Sequence, residues 1–204
     1  MNEKQALEEI QLIIPDVSRE MLDKLSFYVQ LLLKWNKSIN LISKNTVDDL
    51  WTRHILDSAQ LVKFIENKDL ALVDIGTGAG LPGVILSILG VKNVTLIESD
   101  TKKCNFLLEI SRILGLNLKI VNDRIENVKL NVDLLTARGL SSLNSMFYST
   151  NGLGFSRMLL LKGEQVDLEL AEAKTGWEFQ CKKHNSITKS GSYILDIVDV
   201  QRKN

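Results

Sequence analysis

Apolar residues return at helical spacing in the first third of the chain. Met21, Leu22, Leu25, Tyr28, Val29, Leu32 and Leu33 form one stripe behind Ser18, a suitable N-cap. This pattern predicts an amphipathic helix over 19–37. Leu50, Trp51, His54, Ile55, Ser58, Leu61, Val62 and Ile65 share a second face and predict a helix over 47–65. Near 67–69 the period changes, and short β-branched apolar runs begin to alternate with amphipathic stretches. Strands are predicted at 71–75, 94–97, 118–121, 132–136 and 158–161, with a helix near 166–174. Two more strand-like runs, 177–184 and 193–200, flank a turn containing Gly191 and leave no room for a helix. A terminal hairpin therefore closes an otherwise parallel sheet, its last strand running antiparallel. The expected architecture is an α/β, Rossmann-like sheet at 68–204 behind an N-terminal helical segment at 1–67.

Composition narrows the setting. The 204 residues carry 25 basic and 25 acidic side chains, so an RNA partner would have to be met by local clustering. Cys104 and Cys181 stand far apart with no CxxC spacing, the pattern of reduced thiols. The first residues lack a basic stretch followed by an apolar one, and apolar runs such as 158–161 are far too short to cross a bilayer. A cytoplasmic protein with no membrane association is expected. His54 and His184 have no partner ligands at metal spacing, so no metal is expected.

The sharpest local feature is Asp74-Ile75-Gly76-Thr77-Gly78-Ala79-Gly80-Leu81-Pro82-Gly83, between the first strand and a helix expected near Pro82. Such a turn brings backbone N–H groups close to a ligand at a helix start. Two cofactor classes compete for it. Gly78, Gly80 and Gly83 spell GxGxxG, and Glu98 at the end of the second strand could hold a dinucleotide ribose. That motif, however, would begin two residues late. The acid-x-Gly-x-Gly-x-Gly reading and the terminal hairpin favour S-adenosylmethionine instead. Asp74 would then hold the loop or, through water, the cationic methionine portion. Glu98 would accept both ribose hydroxyls, and Ile125 with Glu126 would stand at the adenine end.

With these residues in view, the chain resembles the RsmG (GidB) family of bacterial guanine-N7 methyltransferases of small-subunit (16S) ribosomal RNA. The resemblance rests on Trp35-Asn36-Lys37 with Asn40-Leu41, Arg53-His54-Ile55-Leu56-Asp57-Ser58, the 74–83 turn, Arg124-Ile125-Glu126, Ala137-Arg138 and Leu161-Lys162-Gly163. It implies a class I S-adenosylmethionine-dependent methyltransferase sheet. It also implies that Gly76, Leu81, Ile125, Glu126 and Arg138 line the cofactor pocket, beside the Asp74, Gly78, Gly80 and Glu98 already singled out. The chain departs from the family in reading Ala137-Arg138-Gly139 where Ser-Arg-Ala is usual, and Glu98 where aspartate is common.

The expected partner is small-subunit ribosomal RNA or the assembled subunit, met by a monomer. Lys34, Lys37, Arg53, Lys102 and Lys103 are candidates for a phosphate-binding rim, and His54 for a supporting part in the RNA-facing wall. Trp35 and Asn36 could stack on a nucleotide, or end an apolar helix. Guanine N7 offers a free lone pair, so no catalytic general base is expected. Other rivals remain at this point: a methyltransferase for a protein or small molecule, a dinucleotide oxidoreductase, and a non-catalytic nucleotide-binding module.

Overall fold

The computed structural model describes residues 1–203. Among them, strands β1 (Ala71–Ile75), β2 (Asn93–Glu98), β3 (Leu118–Asn122), β4 (Leu130–Arg138), β5 (Leu153–Lys162), β6 (Trp177–Asn185) and β7 (Tyr193–Arg202) form one sheet. Their order is β3-β2-β1-β4-β5-β7-β6. The strands from β1 to β5 pair in parallel, while β7 runs antiparallel to both β5 and β6. The expected hairpin is present, with its second strand inserted between β5 and β6.

Strands buried on both faces read as nearly continuous apolar runs, and alternate residues feed two cores. Leu72, Leu96, Leu134 and Leu159 pack with Ile10, Leu25, Tyr28, Leu86 and Phe106. These last come from α1 (Glu3–Ile13), α2 (Arg19–Asn36), α4 (Gly83–Ile88) and α5 (Thr101–Leu114). On the opposite face Val73, Leu135, Met158 and Leu160 meet Phe147, Ala173 and Trp177, from α6 (Leu143–Ser149), α7 (Val166–Gly176) and the start of β6. The N-terminal helices thus share a continuous core with one face of the sheet.

Helix α2 matches its predicted span, and Ser18 caps it by accepting from the Met21 N–H at 3.2 Å. The helix expected at 47–65 is not one regular helix. A π-helical stretch (Trp51–Leu56), a single α-turn, α3 (Asp57–Ala59), and a 3-10 stretch (Gln60–Phe64) succeed one another. From His54 to Val62 every residue but Asp57 is buried. A regular 3.6-residue period cannot bury so many consecutive side chains on one face, and the backbone changes its winding instead. Helix α1 was not anticipated; its apolar stripe is short, and its signal lay in the cap. Asn2 accepts from the Gln5 N–H, and the Gln5 side chain accepts from the Asn2 N–H. Among the described residues no helix is long and apolar enough to cross a membrane, and no group of three or more metal-ligating side chains converges.

Candidate functional site

Between β1 and β4 the strand order reverses, and ligands of open α/β sheets bind outside the carboxyl ends of strands at such a point. The 74–83 turn leaves β1 there. Asp74, fully buried, fixes its shape. One carboxylate oxygen accepts from the Gly83 N–H at 3.0 Å and from the Thr77 hydroxyl. The other accepts from the Thr136 hydroxyl at 2.9 Å, which the parallel register sets directly opposite Asp74. Of the two roles open to Asp74 in the sequence, the structure shows the loop-holding one. From the other side Tyr28 of α2 donates to the Ala79 carbonyl at 2.7 Å, so the helical segment also braces the turn.

A cleft of about 300 Å³ opens over this edge. Gly76, Gly78, Glu98, Ile125 and Glu126 line it, as the sequence led one to expect, together with Ser99, Lys103, Asp123, Arg124 and Leu140. Glu98 accepts from the Gly78 N–H at 2.9 Å and the Asp100 N–H at 2.8 Å, one on each carboxylate oxygen. Each oxygen keeps a lone pair for a further donor. A Cβ added at Gly78 (φ +58) would meet no protein atom within 4 Å. The backbone there faces open space, as a loop that admits a ligand requires. Cys104 lies buried in α5, donating to the Glu98 carbonyl at 3.3 Å, and takes no part in the cleft.

Asp74, Gly80 and Leu81 stand behind this cleft. A Cβ on Gly80 would run into Val84 and Leu107, so that glycine permits close packing of the turn, and Leu81 is a core residue. Arg138 lies in a second cleft of about 350 Å³ with Asp49, Arg53, His54, Asp57, Thr188, Lys189 and Ser192. His54 is 6% exposed and bonded through Nε2 to the Thr46 hydroxyl at 2.8 Å. Burial, reinforced by the charges of Arg138 and Arg53, pushes its pKa down to about 3, so the ring is neutral near pH 7.

The basic residues proposed from sequence separate into groups. Arg53, His54 and Arg138 come together in the second cleft, and Lys103 reaches the first. Lys102 is exposed at the start of α5, Lys34 is exposed on α2 near Glu109, and Lys37 caps α2 in solvent. Trp35 packs edge-on against Phe106, and Asn36 accepts from the N–H groups of Leu41 and Ile42, so both serve the end of α2. Leu140, Lys189 and Thr188 were missed; their arrival depends on how distant loops dock, which no local spacing records.

Residues 21–198 match the profile of the GidB family, described as rRNA small subunit methyltransferase G. The chain belongs to the GidB family. A GidB relative from Rickettsia rickettsii (strain Sheila Smith), named Ribosomal RNA small subunit methyltransferase G, is 46% identical over 188 residues, covering 92% of this chain and 98% of the relative. Among solved structures, magnesium protoporphyrin IX methyltransferase from Synechocystis PCC 6803 with bound SAM aligns with a TM-score of 0.61 at 12% identity, covering 84% and 96% of the two chains. The ribosomal protein L11 methylase of Lactobacillus delbrueckii subsp. bulgaricus aligns with a TM-score of 0.55 at 20% identity, covering 73% and 78%. At such identities these two show the fold alone, a methyltransferase sheet. GidB membership and the antiparallel β7 both depart from the dinucleotide-enzyme alternative.

For this GidB chain Glu98→Gln is expected to weaken binding of S-adenosylhomocysteine by about 1 to 3 kcal/mol. The amide turns one acceptor into a donor facing a backbone N–H, Gly78 or Asp100, and removes the charge that would hold ribose hydroxyls. Calorimetry checks this, and unchanged affinity would remove Glu98 from the cofactor site.

Proposed function

We propose that this protein transfers the methyl group of S-adenosylmethionine to N7 of a guanine in small-subunit ribosomal RNA. One observation carries the cofactor half of the reading: the open space before Gly78, walled by the Glu98 carboxylate and Ile125. Family membership carries the RNA half.

The bound cofactor would supply an electrophilic methyl on a sulfonium. Glu98 would accept the ribose hydroxyls, the Ile125 side chain would offer the adenine an apolar face beside Glu126, and the bare backbone at Gly78 would admit the methionine portion, with Gly76 packed against Leu140. Residues 68–204 would hold the cofactor, and the segment 1–67 would supply much of the RNA-facing wall through Arg53 and His54. Guanine N7 has no proton to lose, so alignment of acceptor and donor supplies most of the catalysis. The neutral His54 and the buried Cys104 fit that economy. The protein would act as a monomer in the cytoplasm, on naked RNA or on the assembled subunit.

The reading is tested by mapping 7-methylguanosine in small-subunit RNA from cells with and without the gene. One methylated guanine should disappear and return on complementation; identical maps would defeat the proposal. A second expectation concerns the chemical step. Under single turnover with saturating RNA and cofactor, His54→Gln should keep its rate, and wild type should show no titration near pH 6.5. A general base would be worth about 10²-fold or more, so a loss of that size would point to an acceptor that must shed a proton.

A further inference from the structure

The second cleft holds a carboxylate with one oxygen committed and the other free. It lies beside the first cleft at the carboxyl edge of the sheet. Two residues beyond the paired Asp74 and Thr136 come Gly76, which lines the first cleft, and Arg138, which lines the second. Asp57 reaches the second cleft from the start of α3. Its Oδ1 accepts from Thr188 Oγ1 at 2.7 Å and from Gln60 Nε2 at 2.9 Å, with Ser186 Oγ at 3.4 Å. Two of these donors belong to the β6–β7 turn and one to the helical segment, so the carboxylate is fixed from two directions. Among the described residues no hydrogen bond or ion pair reaches Oδ2.

A carboxylate oxygen held in this way is an acceptor oriented before any ligand arrives. The same wall carries a second acceptor. Thr46 Oγ1 gives its proton to the Ser43 carbonyl at 2.7 Å, so at 2.8 Å it accepts from the His54 Nε2–H. Nδ1 is then left as a lone pair, buried without a partner, three residues before Asp57. Asp49 also lines the cleft, but among the described residues no side-chain bond orients it; its main-chain carbonyl takes the Arg53 N–H at 2.8 Å. Arg53 adds donors to the same cleft. Among the pairing edges of the RNA bases, only that of guanine sets two N–H donors side by side, the imino N1–H and the 2-amino group, next to an acceptor, O6.

We propose that Asp57 selects the target base: its Oδ2 accepts from N1–H and from the 2-amino group of one guanine seated in the second cleft. This rests on a guanine of RNA as the methyl acceptor, and deepens that reading by naming the residue that recognises it. The cleft, about 350 Å³, is of a size that takes a single base. Charge-assisted bonds to a fixed acceptor are strong, and a site built to hydrogen-bond an N–H rejects the analogue that lacks it. Adenine would turn a lone pair at its N1 toward the same carboxylate and be repelled. The gripped edge lies across the purine from N7, so the bonds that select the base leave the reacting lone pair uncovered. Arg138 stays with the cofactor at the wall between the clefts, where the family resemblance puts it.

The ammonium of the cofactor's amino-acid end offers N–H donors of the same kind, and the experiment separates the two sources. Wild type and Asp57→Asn are compared at saturating cofactor on small-subunit RNA fragments carrying guanine or inosine at the position that the methylation map identifies. Both proteins are also titrated with S-adenosylhomocysteine by calorimetry. Inosine keeps N7 and N1–H and lacks only the 2-amino group. Wild type should show a kcat/KM about tenfold or more higher on guanine than on inosine. Asp57→Asn can keep its oxygen on Thr188 and Gln60, which turns its amide NH2 toward the base, donor against donor. It should lose about tenfold or more on guanine and bring the ratio of the two substrates near one, with the affinity for S-adenosylhomocysteine unchanged. Equal wild-type rates on the two fragments would overturn the assignment without recourse to any variant. So would a folded Asp57→Asn that keeps the wild-type ratio, or one whose only loss is in cofactor affinity. If the guanine map depends on the gene but wild type treats guanine and inosine alike, Asp57 loses this role and the methylation reading stands. If the map does not depend on the gene and neither fragment is methylated, both fall.

Discussion

Gly78→Val is expected to weaken binding of S-adenosylmethionine by at least about a hundredfold, about 2.7 kcal/mol, in a protein that still folds. The two effects separate because of the surroundings of Gly78. Apart from its chain neighbours, no protein atom lies within 4 Å of a Cβ built there, so the branch point of a valine has room and its methyl groups project into the cleft. The cost to the fold is the left-handed backbone, φ +58, about 1 to 2 kcal/mol for an L side chain. That corresponds to a loss of about 2 to 8 °C in Tm for a chain of this size. Gly80→Ala gives the contrasting case. Its Cβ would strike Val84 and Leu107, so the fold should suffer although no methyl group enters the cleft. Calorimetry with thermal melts on both variants decides. Full cofactor affinity in folded Gly78→Val would move the cofactor away from this turn.

The contrast between those glycines marks where the sequence stops being informative. Gly76, Gly78 and Gly80 occupy equivalent places in one alternating motif, and only three-dimensional neighbours tell which face ligand. Glu98, Ile125 and Glu126 were legible because a parallel sheet delivers the ends of successive strands to one edge, so the position of an apolar run fixes where the residues just after it must lie. Arg138 ends β4 at the same carboxyl edge, but β4 lies across the strand-order reversal from β2 and β3, and its end opens on the other cleft. The winding of 51–64 was illegible for a different reason: periodicity reports an amphipathic helix and carries no signal for a segment buried nearly all round. Lys189 depended on the docking of Ser186 and Thr188 against Gln60 and Asp57, more than 120 residues away in sequence.

Trp35 and Asn36 show resemblance and physics answering different questions. Their motif helped mark the family, and aromatic stacking on a nucleotide was open to them. The structure uses Trp35 to seal α2 against Phe106 and Asn36 to receive two N–H groups after the helix ends. A family marker can therefore be a folding device.

Asp74→Ala is expected to destabilise the protein by about 3 to 5 kcal/mol, because it strips the acceptor from three buried donors at once. The Gly83 N–H and the hydroxyls of Thr77 and Thr136 would all lose their partner, and the turn before the cofactor cleft would lose its anchor. Asp74→Asn should restore most of the loss. Its oxygen can still accept from Gly83 and Thr77, while its amide can donate to the Thr136 hydroxyl, which is able to accept. The two substitutions also separate by pH. Burial raises the Asp74 pKa from 3.8 to about 6, against the opposing hydrogen bonds from Thr77, Gly83 and Thr136. Between those values the folded protein keeps a proton that the unfolded chain has released. The contribution of Asp74 is therefore fully present below pH 3.8 and is lost as pH rises through about 6. Asparagine does not titrate, so Asp74→Asn should gain on wild type by about 2 kcal/mol between pH 4 and pH 7. The neutral His54 pulls the other way, since its pKa of about 3 makes the fold lose stability as pH falls below 6.5. Both proteins share that effect, and it cancels in the difference. Urea unfolding of the three proteins at several pH values gives the comparison. Parallel curves for Asp74→Asn and wild type would show that the carboxyl titrates normally, and an Asp74→Ala protein as stable as wild type would show that the turn is held by something else.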